Sequence, residues 1–130
     1  MHWITAFALG GLALTGHPTP FACNPAALAP AERHRHFEEV GPALRERVVR
    51  ARELPAGYAF EFASTPETNR LLAEWAVQEA ACCPFFDVEV RLAREAGPVE
   101  LRLTGREGTK HFIEEEFGER WLKGAGARGR

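Results

Sequence analysis

Three cysteines in 130 residues are too few, and odd in number, for a disulfide scaffold. Free or metal-bound thiols in a reducing, cytoplasmic setting are therefore the default. Positive charge is not in surplus either: 16 Lys plus Arg stand against 18 Asp plus Glu, the net charge is −2, and the arginines are interleaved with glutamates. That excludes the electrostatic footprint of a nucleic-acid binder. Missing too are a glycine-rich phosphate loop, a Walker-type motif and any internal repeat, which removes nucleotide-binding and solenoid classes. The longest apolar stretch, Trp3 to Thr15, has the length of a signal-peptide core and is too short for a stable membrane span.

Residues 1–20 read as an apolar, proline-containing extension, with a weak export signal or a structural strand as alternatives. No Lys or Arg precedes the apolar stretch, and Thr15-Gly16-His17-Pro18 offers no small-x-small cleavage site. Export would let the thiols oxidise. Beyond the extension, 45% apolar and 26% charged residues suit one globular domain with one modest core, placed over residues 21–118. The glycine-rich end, residues 119–130, reads as a mobile tail.

Within the domain, Ala31 to about Arg47 carries Phe37, Val40, Leu44 and Val48 at helical spacing, with Gly41-Pro42 kinking or breaking it, so that one helix and two shorter segments are equally open. Tyr58, Phe60 and Phe62 alternate with Ala59 and Glu61 as in a half-buried strand, and Pro55-Ala-Gly57 predicts a hairpin with the segment before it. Thr65-Pro66-Glu67 is a helix start, and that helix should run to about Ala81. Phe86 to Leu92 and Val99 to Leu103 alternate apolar with charged residues across Ala96-Gly97-Pro98, which predicts a second hairpin. Thr104-Gly-Arg-Glu107 matches a capping box and is expected to open a last helix ending near Gly118. The expectation is an α+β fold in the order α-ββ-α-ββ-α, an antiparallel sheet of about four strands with helices on one face.

Chemistry concentrates at Cys82-Cys83, set between the helix and the helix-stopping Pro84-Phe85-Phe86. Adjacent thiols point about 100° apart on a helix and cannot fill one core slot together, and a disulfide between sequence neighbours strains their peptide bond. Thiolates are soft ligands for Zn(II), Cu(I), Hg(II) or As(III). Cys23 becomes a third thiolate if its loop folds against the 82–83 corner. Glu79, one turn before Cys83, is a candidate oxygen ligand or proton acceptor. The rival reading is that the cysteines are buried and inert. His34-Arg35-His36 reads as a solvated helix surface, since residues two apart face different ways, and His111 reads likewise.

The stretches Glu53 to Phe62, Leu72 to Trp75, Glu79-Ala-Ala-Cys-Cys-Pro-Phe-Phe86 and Leu101-Arg-Leu-Thr-Gly-Arg-Glu-Gly-Thr-Lys110 resemble a family of small uncharacterised bacterial proteins. That family has a Glu-x-x-Cys-Cys-Pro-Phe corner and a Leu-Thr-Gly-x-Glu-Gly-x-Lys segment, and is loosely associated with heavy-metal resistance. The resemblance covers roughly residues 21 to 118 and implies site roles for Cys23, Glu79, Cys82 and Cys83. Ala80 stands where the family pattern would have arginine.

The leading expectation is a small protein that binds a soft metal or metalloid ion, or a small thiol-reactive ligand, through Cys82, Cys83 and Cys23, with Glu79 in support. An enzyme of thiol chemistry is the alternative, with Cys83 as nucleophile or as disulfide partner of Cys23 and Glu79 managing the proton. A third reading is an interaction module with inert cysteines. Oligomeric state stays open.

Overall fold

The computed structural model describes residues 19–125. The extension expected over residues 1–20 lies outside them except for its last two positions, and residues 126–130 lie outside as well.

Thr65 begins the longest helix by the predicted mechanism: its side chain accepts a hydrogen bond from the Thr68 amide at 3.0 Å, and Pro66 sits where no amide hydrogen is needed. Helix α3 then runs over Pro66–Cys82. Strands β1 (Val48–Leu54) and β2 (Gly57–Phe62) form the first hairpin, and β3 (Asp87–Arg91) and β4 (Val99–Thr104) the second. The four strands make one antiparallel sheet in the order β1-β2-β4-β3. Its pairing sets Tyr58 against Leu103, Phe60 against Leu101 and Phe62 against Val99, so one face is continuously apolar. The other face carries charge, with Arg50 on Glu61 and both Arg52 and Arg102 on Glu100. The expected α+β fold is the observed one.

Before the sheet lie helices α1 (Pro30–His34) and α2 (Gly41–Arg47). Of the two arrangements Gly41-Pro42 leaves open, the continuous one is found: they are joined by a π-helical turn over Arg35–Val40. The Gly41 amide donates to the carbonyl of His36, five residues back, and Pro42 follows in the first turn of α2, where a missing amide hydrogen costs little. The rod therefore absorbs the proline without a break. A side chain at Gly41 would place its Cβ 2.9 Å from the His36 carbonyl oxygen, so only glycine fits this turn.

The last helix, α4 (Thr109–Phe117), departs from expectation at its start. Thr104 stays in β4, and the helix opens after Gly108, whose φ of 99° is left-handed. The capping-box reading fails because Thr104 is bound into the sheet opposite Gly57 and Asp87. Gly118, with φ of 74°, ends α4 as predicted. Residues 119–125 are not a loose tail: Trp121 is buried, 5.4 Å from Phe60, 5.7 Å from Trp75 and 5.3 Å from Phe117 between ring centroids. Burial of the indole favours docking of this segment and offsets part of its ordering cost. The Ala51 amide also donates to the Lys123 carbonyl, which covers the edge of β1.

Among the described residues, no helix is long and apolar enough to cross a membrane.

Candidate functional site

Cys82 is the last residue of α3 and Cys83 its cap, with the Cys83 amide donating to the Glu79 carbonyl at 2.7 Å. Pro84 cannot continue the helix, and the chain turns there into Phe85 and Phe86. Those two rings found an aromatic cluster. Phe85 lies 4.6 Å from Phe86 and 4.8 Å from Phe112, and Phe21 docks on it at 5.2 Å. Gly108 leaves room for Phe21, since a Cβ there would stand 2.8 Å from the ring, and Arg106 covers that ring at 4.2 Å from its centroid. On the far side of Cys23, the Asn24 amide donates to the Cys82 carbonyl at 2.7 Å. Cys23 is thus held at the 82–83 corner by noncovalent contacts on both flanks.

The corner brings all three cysteines together. Cys23 and Cys83 are joined as a disulfide, and Cys82 is free. The free thiol of Cys82 lies 3.5 Å from the Cys83 sulfur. A disulfide departs from the expectation of free thiols, although the Cys23–Cys83 pair is the one the thiol-chemistry reading names. The chain entropy of closing these two positions is lost only from the unfolded state, so the bond favours the folded one. Cys82 and Cys83 are fully buried, whereas Cys23 is half-buried. Burial pushes the Cys82 thiol up to about 11, and the nearby Glu79 carboxylate acts in the same direction. Its place at a helix C-terminus disfavours the thiolate further.

Beside Cys82 lies a second constellation that the sequence reading misses. His36 is buried, not solvated: its Nε2 is 2.7 Å from Oε2 of Glu79 and its Nδ1 is 2.9 Å from Oε1 of Gln78. The ring stacks on Trp75 at 5.6 Å. The π turn explains the error. It puts His36 in the stripe of Val40 and Leu44 and leaves Phe37, expected in the core, 41% exposed. A cue was present, because His36, Val40, Leu44 and Val48 are spaced four apart. Gln78 is oriented by Glu74, and the Arg35 guanidinium beside Glu74 holds that carboxyl below the usual carboxylate range. His34 and His111 are exposed, as expected.

Two groups among the described residues have donor atoms close enough to hold one metal ion: Cys23 with Cys82 and Cys83, and His36 with Glu79 and Cys82, the atoms of each group lying within 4.8 Å of one another. Cys82 belongs to both. The residues singled out from sequence, Cys23, Glu79, Cys82 and Cys83, are therefore brought to one place, with His36 and Gln78 added.

No protein-family model matches the chain, and no curated protein or solved structure matches it either. Function rests on the site.

Above it opens a cleft of about 210 Å³, lined among others by Cys23, His36, Phe37, Trp75, Glu79 and Phe117.

Proposed function

We propose that the protein binds a soft metal or metalloid ion through the thiolates of Cys23, Cys82 and Cys83, and that the Cys23–Cys83 disulfide is its oxidised, ion-free form. The convergence of three sulfurs within 4.8 Å carries this reading. Three thiolates in a plane about one ion at ~2.3 Å stand about 4 Å apart, so only the bonded pair must separate. The contacts on both flanks of Cys23 favour retention of the convergence after reduction.

Charge narrows the choice of ion. A buried site tolerates little net charge. A trivalent metalloid with three thiolates is neutral. Hg(II) with two thiolates and the Cys82 thiol kept protonated is neutral as well, and the raised pKa of Cys82 suits that state. Cu(I) with three thiolates leaves the site anionic and is disfavoured. The resemblance of the Glu79-to-Phe86 block to proteins loosely associated with heavy-metal resistance agrees with this reading. A reducing, cytoplasmic setting would keep the ion-binding form populated.

Native mass spectrometry of the reduced protein with arsenite, Hg(II), Zn(II) and Cu(I), beside single Cys→Ser variants, tests the proposal. One arsenite or Hg(II) per chain, lost in Cys23→Ser and Cys83→Ser, is expected. Undiminished binding in both variants would refute it.

The disulfide itself favours a second reading, thiol–disulfide chemistry. Cys82 lies close enough to Cys83 to take part, but a thiol with its pKa near 11 is a poor nucleophile at neutral pH. Turnover of a disulfide substrate that stops in Cys82→Ser would favour that reading over ion binding.

A further inference from the structure

The cleft touches only one of the three cysteines. Cys23 lines it, while Cys82 and Cys83 have no exposed surface. Solvent and small molecules therefore meet the disulfide from the Cys23 side. Phe37, Trp75 and Phe117 are among the aromatic walls, and the polar lining groups are His36, Glu79, Arg45 and Glu116, of which Arg45 is the one fixed cation. Arg45 lines the cleft with its side chain 40% exposed, and its ion pair with Glu46 is long, at 3.8 Å. The exposed part of such a guanidinium suits a carboxylate arriving in the cleft.

We propose that this cleft is the docking site of a small carboxylate-bearing thiol that opens the disulfide by attacking Cys23. The inference rests on the reading that the reduced protein is the ion-binding form, and it names how that form is generated. The incoming thiolate forms a bond to the Cys23 sulfur; the bond between Cys23 and Cys83 breaks, and its electron pair leaves on Cys83, which takes up one proton, the equivalent of the one the incoming thiol gave up. A second thiolate attacks the outer sulfur of the mixed disulfide and releases Cys23. Two small thiols are oxidised to their disulfide, and the protein disulfide is reduced to two thiols. A cleft of about 210 Å³ is on the scale of such a molecule.

The test treats the oxidised wild-type protein with 3-mercaptopropionate in the absence of any ion, quenches with N-ethylmaleimide and maps the products by peptide mass spectrometry. The mercaptopropionate adduct is expected on Cys23 and the maleimide on Cys83. Rates per thiolate are compared with cysteamine, which carries the opposite charge. Mercaptopropionate is expected to be faster by about fivefold, the scale of one exposed charge pair, and to lose that lead in Arg45→Gln. An adduct on Cys83, or a charge preference that Arg45→Gln leaves intact, would overturn the proposal. Faster reduction by a thioredoxin-type protein dithiol would overturn it in favour of a macromolecular reductant. The product map on wild-type protein does not depend on how the variant folds. A protein that reduces in this way yet binds no ion would count against the ion-binding reading alone.

Discussion

Nε2 of His36 lies 2.7 Å from Oε2 of Glu79, forty-three residues away in sequence and beside the fully buried Cys82. The contact ties the π turn of the first helical rod to the last turn of α3, three residues before Cys82. Removing one partner strands the other in a dry setting. Glu79→Ala is therefore expected to cost about 3 kcal/mol in urea unfolding, at the lower end for breaking a buried pair. A double-mutant cycle with His36→Ala should show coupling of about 1 kcal/mol or more. Coupling near zero would mean that the two side chains merely lie near each other.

The disulfide closes a loop across a sequence separation of 60. In the chain-entropy account, that closure is worth roughly 4 kcal/mol. Cys23→Ser should lower the urea midpoint accordingly, and reduction of the wild-type protein should lower it by a similar amount. Restoration of the midpoint on adding arsenite to the reduced protein is the expected sign of linkage.

Cys82 should resist modification. With its thiol pushed up to about 11 and no surface exposed, iodoacetamide at neutral pH is expected to label Cys23 first after reduction and Cys82 last. Equal labelling of all three in the folded protein would show that the corner opens when its disulfide is broken.

Tyr58 is the single tyrosine of the chain, so its absorbance reports one group. Burial, with a hydrogen bond to Glu114 at 2.6 Å in support, pushes its phenol up to about 12 from an ordinary value of 10. Because the folded-state value is raised, the stability it contributes is full below about 10 and is lost as pH rises through about 12. Tyrosinate absorbance should show a midpoint near 12 in the folded protein, and Tyr58→Phe should flatten the fall in stability over that window. A midpoint at 10 would show an open, solvated phenol.

Gly41→Ala tests the π turn. Its Cβ would meet the His36 carbonyl oxygen at 2.9 Å, a backbone atom with little freedom to move. A loss of about 1–3 kcal/mol is expected, the range for overpacking, together with a shift of the His36 ring resonances. An unchanged His36 spectrum would mean that the turn relaxes without moving its side chain.

The sheet and the long helix were legible because each is written in local pattern: Tyr58, Phe60 and Phe62 alternate, and Thr65-Pro66 is a complete cap. The convergence of Cys23 with Cys82 and Cys83 was legible as a possibility only, since it depends on Phe21 docking against Phe85 and Phe112, a contact between distant parts of the chain. His36 was misread because two-residue spacing argues against a shared face in a regular helix, and the helix is not regular there. Gln78 carried no signal beyond its helical position. Trp121 lies past the stop at Gly118, where local rules assign a tail, and only the aromatic pocket formed by Phe60, Trp75 and Phe117 gives it a place.

X-ray absorption at the metal or metalloid edge of the reduced, ion-loaded protein tests the central claim most directly. A first shell of sulfur alone is expected, three scatterers for arsenite at about 2.3 Å, the distance scale of thiolate coordination. A first shell of nitrogen or oxygen, or no protein-bound ion to measure, would contradict it.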